Sequence, residues 1–338
     1  MTQLLAAFTV LVAVLLVGLS AGASRAAQPP APTPAPGGFT NPVINRDFPD
    51  PDILRAGDMY YAYATNSNGV NIQAARSADL VHWETLPDAL PRLPAWAAQD
   101  FGFAWAPEVT TFDGEQYVMY HVARFQGVQC IGVAVSATPQ GPFEPVGDGP
   151  LICQVEQGGS IDPAVFFDDG APYLLWKNDG NAINEQTWIY LQSLAPDGLS
   201  LLGEPVPLLA RDQPWEGRLI EAPTLWKHDG RYVLFYSAND YASSNYAVGY
   251  AAADALLGPY TKPPGNRVLK TDIVEGLVGP GGQDIVRWPD GSEWMLYHGW
   301  IPEGRAMFLA PLVWEDGVPA VLHARNPQMA PATGDSQE

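Results

Sequence analysis

An apolar run, a tight polar turn and an aromatic strand follow one another five times along this chain. The fullest copy lies between Gly159 and Asn178: Asp162-Pro163, the apolar residues Ala164 to Phe167, the turn Asp168-Asp169-Gly170, then Tyr173 to Lys177. Asp50-Pro51 leads through Gly57 to Tyr60-Tyr61-Ala62-Tyr63, and Trp105-Ala106-Pro107 through Asp113-Gly114 to Tyr117-Val118-Met119-Tyr120. Glu221-Ala222-Pro223 leads through Asp229-Gly230 to Tyr232 to Tyr236, and Gln283-Asp284 through Asp290-Gly291 to Trp294 to Tyr297. Two apolar strands about a Gly-containing turn read as a hairpin. The markers Tyr60, Tyr117, Tyr173, Tyr232 and Trp294 are 57, 56, 59 and 62 residues apart, so each repeat has room for a second hairpin.

The second halves of the repeats read as strands too. Val70 to Ala75 is followed by Ser77 to Trp83, Ile131 to Ser136 by Gly141-Pro142-Phe143, Ala247 to Ala252 by Gly258-Pro259-Tyr260, and Ala306 to Val313 by Trp314 to Gly317. Four short strands per unit is a propeller blade. The expected fold is all-β, a single five-bladed β-propeller over residues 41–338.

Ahead of it, Leu4 to Leu19 is apolar and uncharged, and Ala21-Gly22-Ala23 suits signal peptidase, so residues 1–27 read as a signal peptide. Residues 28–40, rich in Pro, Ala and Gly, read as an extended linker. The expectation is a secreted protein, extracellular or periplasmic, with no stable membrane association once the signal is cleaved.

Composition agrees with short strands and turns: Gly and Pro number 33 each, and charged residues make up only 16%. With 17 basic against 37 acidic side chains the net charge is −20, which leaves no basic stripe for a phosphate backbone. Nucleic acid is excluded as a partner, and a neutral ligand fits better. Cys130 and Cys153 are the only cysteines, and in an exported chain an even count favours pairing. Both are expected in the second blade, on its third and fourth strands.

The first strand of each blade lines the central channel, so the repeat entrances Asp50, Trp105, Asp162, Glu221 and Gly281-Gly282-Gln283 converge on one mouth. Asp-Pro alone is a common turn starter. Acids in three entrances, where two others carry Trp or Gly and Gln, show that blade geometry does not require a carboxylate there. Like charges gathered in a pocket work against folding, so the cluster points to function. Carboxylates facing across a pocket are the equipment for glycoside hydrolysis, one protonating the leaving oxygen and one activating water or attacking the sugar carbon. No cofactor is needed for that chemistry. An aromatic residue at the mouth, Trp105, suits the apolar face of a sugar.

Phe48-Pro49-Asp50-Pro51-Asp52, Ser77-Ala78-Asp79-Leu80 with Trp83, Trp105-Ala106-Pro107-Glu108, Ser160-Ile161-Asp162-Pro163, Glu221-Ala222-Pro223, and Gly304-Arg305 with Trp314 and Asp316-Gly317 together resemble glycoside hydrolase family 43. The resemblance runs from Asn41 to Val321, once per repeat and in order. It implies inverting enzymes that act on arabinose- and xylose-containing plant polysaccharides or oligosaccharides. By position, Asp50 resembles the general base, Glu221 the general acid, and Asp162 the acid that modulates the donor's pKa and orients the sugar. Trp105, Gln283 and Arg305 are the expected sugar contacts.

Many members carry a histidine after the Gly-Pro-Gly of the fifth repeat, near a hydrated calcium or other cation in the central channel. Here Gly279-Pro280-Gly281 is followed by Gly282-Gln283, so the imidazole contact is expected to be missing and the metal is left open. Pro49 before Asp50, and the lack of a β-sandwich after the propeller, favour an arabinofuranosidase that removes terminal or side-chain sugars. The alternatives are a β-xylosidase, an endo-1,5-α-L-arabinanase, a retaining fructan- or sucrose-cleaving relative, and a non-catalytic sugar-binding propeller. The loops Leu86 to Phe103 and Asp179 to Trp188 are expected to set the linkage.

Overall fold

The five repeats fold as five antiparallel sheets of four strands each, ordered around a central channel. The structure is a computed structural model and describes residues 38–272 and 276–322. The expected signal peptide lies outside the described residues, as does the expected linker apart from residues 38–40.

Blade one holds β1 (Asp52–Ala56), β2 (Met59–Ala64), β3 (Gln73–Ser77) and β4 (Glu84–Thr85). Blade two holds β5 (Trp105–Thr111), β6 (Tyr117–Phe125), β7 (Val128–Ser136) and β8 (Glu144–Val146). Blade three holds β9 (Ser160–Asp168), β10 (Ala171–Asn178), β11 (Trp188–Leu194) and β12 (Leu201–Ala210). Blade four holds β13 (Ile220–His228), β14 (Arg231–Ala238), β15 (Ala247–Ala253) and β16 (Arg267–Leu269). Blade five holds β17 (Gly281–Arg287), β18 (Glu293–Ile301), β19 (Gly304–Glu315) and β20 (Val318–Val321).

Outer strands depart from expectation more than inner ones. Ser77 to Trp83 is mostly a turn rather than a strand: Asp79 Oδ1 accepts from the backbone N–H groups of Val81 and His82, which diverts them from a ladder. The outermost strands of blades two and four begin at Glu144 and Arg267, beyond the Gly-Pro-aromatic segments expected to form them. Cys130 lies on β7 as expected, but Cys153 lies past β8, beside the isolated bridge that joins Ile131 to Ile152. That bridge brings the two cysteines together, and they are bonded.

The core is divided into wedges between neighbouring blades. One wedge packs Leu54, Tyr61 and Tyr63 against Val109, Met119 and Phe143. Another packs Phe235 and Tyr250 of blade four against Met295, Tyr297 and Phe308 of blade five. Closure of the ring joins chain ends far apart in sequence: Val43 and Ile44 exchange backbone bonds with Met307, and the Asn41 amide brackets Leu309. Phe48, Ile53 and Tyr60 then pack on Trp288, Trp294 and Met307.

At every blade entrance one residue sits in the left-handed region: Asp50 (φ 53°), Ala106 (38°), Asp162 (56°), Ala222 (48°) and Gly282 (54°). For a residue with a Cβ this costs about 1–2 kcal/mol, less for Asp. The kink frees backbone N–H groups from the ladder, and side chains of neighbouring strands take them. Asp50 N donates to His298 Nδ1, Ala106 N to Thr65 Oγ1, Ala222 N to Asp162 Oδ2 and Gly282 N to Ser237 Oγ. Glu221 precedes its kink by one residue, so it is the counterpart of Trp105 and Gly281 rather than of Asp50 and Asp162.

Two residues past each kink, Asp52, Glu108, Ala164, Thr224 and Asp284 form a ring around the channel below the mouth. Val109 N donates to Asp52 Oδ2 at 3.0 Å and Ile53 N to Asp284 Oδ2 at 2.9 Å, which ties blade two to one and blade one to five.

Candidate active site

Asp50, Trp105, Asp162, Glu221, Gln283 and Arg305 all line one cavity of about 470 Å³ at the channel mouth. The expected convergence of the entrances is therefore present, and each acid has a different environment.

Asp50 has a hydroxyl, a guanidinium and an imidazole around it. Thr65 Oγ1 donates to its Oδ2 at 2.6 Å, Arg305 lies 3.1 Å from Oδ1, and His298 lies 3.3 Å from the same oxygen. Burial works to raise its pKa, but the Arg305 charge and the Thr65 hydrogen bond outweigh burial and hold the carboxyl well below the usual range. It is a carboxylate at any working pH. Asp162 is the opposite case. Burial, then the Glu221 charge and more weakly that of Asp50 push it up to about 8, against the pull of Lys177 and the Ala222 N–H. Asp162 thus retains its proton through neutral pH.

Glu221 is gripped at both oxygens. Tyr246 donates to Oε1 at 2.7 Å, and Lys177 Nζ lies 3.1 Å from Oε2. Burial and the charges of Glu221 and Asp50 push the Tyr246 phenol well up, so it stays a neutral donor. Gly281 makes room for it, because a Cβ there would run into the Tyr246 ring.

The other expected contacts differ in how free they are. Arg305 packs over the Tyr241 ring, and Trp300 Nε1 donates to Tyr241 O at 2.7 Å, which fixes that side of the rim. Trp105 is half-buried, with its indole N–H on Gly102 O. Gln283 is committed to the protein: Nε2 donates to Ala222 O, and Oε1 accepts from Ser237 Oγ. A sugar would have to displace one of those bonds to reach its amide. Gly102, Asp179 and Asn181, from the two loops expected to set the linkage, line the cavity.

The imidazole expected to be missing reaches the channel from another strand. His298, on β18, is fully buried and stacks on Tyr246 with ring centroids 5.8 Å apart. A Cβ on Gly282 would lie 2.7 Å from His298 Nδ1 and 2.9 Å from Asp50 Oδ1, so this imidazole occupies the space a side chain at 282 would need. Its Nδ1 is taken by the Asp50 N–H, and among the described residues no cluster of three or more His, Cys, Asp or Glu is arranged around a metal ion. His298 Nε2 is buried and has no hydrogen-bond partner, so it is the nitrogen that would be left to a hydrated cation in the channel, and no step below runs through one.

Sequence reasoning missed Lys177, Tyr246, Thr65, Tyr241 and His298. A signal existed for two of them. The fourth position after the aromatic marker is Lys177 in the third repeat and His298 in the fifth, a polar residue closing an apolar strand, and both are fully buried.

A five-bladed propeller with a carboxylate trio at its channel mouth has the frame and equipment of a glycoside hydrolase. The chain belongs to glycosyl hydrolases family 43, whose profile matches residues 39–319. A solved thermostable family-43 glycoside hydrolase superposes with a TM-score of 0.77 at 32% identity, covering 89% of this chain and all of that one. A putative beta-xylosidase of Xylanibacter ruminicola is 27% identical over 80% of this chain and 49% of its own length. An extracellular exo-alpha-(1->5)-L-arabinofuranosidase of Streptomyces avermitilis is 27% identical over 77% of this chain and 56% of its own. The chain spans about half the length of these two curated relatives.

Proposed function

We propose that this protein is an exported, inverting α-L-arabinofuranosidase that removes arabinofuranosyl residues from arabinan or arabinoxylan. The observation that carries the hydrolytic reading is a single cavity setting an obligate carboxylate, Asp50, against Glu221 and the proton-holding Asp162. Asp50 is the general base. It takes a proton from water as the water oxygen attacks the anomeric carbon. Glu221 is the general acid, passing its proton to the glycosidic oxygen as the bond to the anomeric carbon breaks. Asp162 keeps that proton on the pair until sugar binds and orients the ring. Arg305 holds Asp50 ionised and, with Tyr241 and Trp105, forms the wall against the terminal sugar.

The cavity volume falls in the range of small-molecule pockets, about 300–1,000 Å³, which supports recognition of a terminal sugar over an extended chain. The apolar amino-terminal run and the Cys130–Cys153 bond support export. A second reading, β-xylosidase action, is supported by the likeness to the Xylanibacter protein. Nitrophenyl α-L-arabinofuranoside, nitrophenyl β-D-xyloside and sucrose, assayed side by side, test the reading. A preference of at least tenfold in kcat/KM for the arabinofuranoside is expected. Preference for the xyloside replaces the substrate assignment, cleavage of sucrose replaces the mechanism, and inactivity on all three leaves an endo-acting arabinanase or a binding propeller, which linear arabinan as substrate separates.

A further inference from the structure

Lys177 closes the apolar run of β10, and its side chain has no exposure to solvent. Its neighbours along the strand, Leu174, Leu175 and Trp176, are core residues, so folding alone favours an apolar side chain in this place. Its ammonium nevertheless has a built setting. Nζ donates to Asn181 Oδ1 at 2.6 Å and to Glu221 Oε2 at 3.1 Å, with Asp179 Oδ1 at 3.6 Å. Burial works to strip the Lys177 proton, but the carboxylates of Glu221, Asp162 and Asp179 outweigh it and leave the amine pKa raised, so the charge is retained.

We propose that Lys177 is a positioning residue for the reaction: its ammonium orients the Glu221 carboxyl and stabilises the carboxylate that Glu221 becomes as its proton passes to the leaving oxygen. This rests on Glu221 being the general acid. In that step the Glu221 O–H bond breaks, its hydrogen joins the glycosidic oxygen, and the negative charge left behind appears at an oxygen already facing Nζ. A charge fixed in advance where charge develops, in a buried site, is the efficient form of electrostatic catalysis. The cation also favours early loss of the proton, and Asp162 opposes that loss from the other side. Lys177 and Asp162 therefore set the strength of the acid between them. Tyr246 faces Glu221 from the segment before β15, Asp179 faces Lys177 from the loop after β10, and Asp50, Arg305 and His298 stand across the cavity.

The test is Lys177→Met. Loss of the positive charge raises the pKa of the carboxyl pair, so the alkaline limb of kcat/KM against pH should move up by about one unit or more. At pH 6 the weaker acid should slow cleavage of arabino-oligosaccharides about tenfold more than cleavage of the nitrophenyl arabinofuranoside, whose leaving group needs less protonation. An unmoved limb with equal loss on both substrates overturns the proposal and leaves Lys177 a packing residue. Should Lys177→Met fail to fold, Asn181→Asp draws the ammonium away from Glu221 and should move the limb in the same direction; an unmoved limb overturns the proposal there too. Infrared titration of the buried carboxyls in the sugar-free protein separates this proposal from the hydrolase reading. A wild type inactive on every glycoside sinks the hydrolase reading, whereas an active wild type whose carboxyl midpoint ignores the Lys177 change sinks this one.

Discussion

Replacing Asp52 by Asn should stabilise the protein more at pH 8 than at pH 4.5. Asp52 is 5% exposed and faces Glu108 and Asp284 across the channel. Burial and then those two carboxylates raise its pKa, while burial and the Asp284 charge raise that of Glu108. Asp284 is pushed up from 3.8 to about 6, chiefly by burial, against the N–H bonds from Ile53 and Ile285. A carboxyl whose folded pKa is raised binds more protons in the native state, so its stabilising effect is complete below the unfolded pKa and is lost as pH rises through the folded one. Each extra proton is worth about 1.4 kcal/mol per pH unit, so Asp284 alone forfeits on the order of 3 kcal/mol across its window. An amide at 52 mimics the protonated acid: its oxygen accepts the Val109 N–H, and its NH2 faces Glu108. With one charge fewer, the ring should recover roughly 1–3 kcal/mol at pH 8, a rise in Tm of about 2–10 °C for a domain this large. Buried neutral His121 and His298 act in the opposite sense below about pH 6.5, in both proteins. The difference in urea unfolding between variant and wild type therefore isolates the ring. An equal loss of stability at pH 4.5 and pH 8, or no difference at either, refutes the reasoning.

Glu221→Gln should lower kcat by about a hundredfold or more on arabino-oligosaccharides and much less on activated aryl glycosides, read by steady-state kinetics; equal losses remove Glu221 from the acid role. The first sugar released should carry the inverted anomeric configuration, read by proton NMR of an early time course, because a base at Asp50 delivers water from the face opposite the leaving group. Retention would mean that Asp50 attacks the sugar itself. Reducing the Cys130–Cys153 bond, which spans 23 residues, should cost about 3 kcal/mol in urea unfolding, and full retention of stability would mean that the bond closes no entropically significant loop.

The repeat by itself determines a great deal. Period, strand order and blade number follow from where aromatic strands and Gly turns fall, because these are local choices that each hairpin makes for itself. Asp50 and Asp162 were legible for the same reason: they occupy one kinked position in two copies, and sequence spacing is enough to align them. Glu221 was found although it stands one residue before its kink, since the following Ala222-Pro223 marks the entrance. The outer strands were misread where side chains such as Asp79 claim the backbone N–H groups a ladder would have used.

Tertiary structure alone decided how the acids are tuned. Thr65 follows the second strand of the first blade, Tyr246 comes from a connecting segment, Lys177 from the second strand of blade three and His298 from that of blade five, and none of them shares a repeat position with the acid it serves. Asp50 and Asp162 have the same residue type, the same kink and the same following proline. One is held ionised by Arg305 and Thr65, and the other is driven by burial and Glu221 to keep its proton. A pattern along the chain records which residues are carboxylates. The charge each one carries depends on buried neighbours within a few ångströms, and closing the ring of blades is what brings those neighbours together.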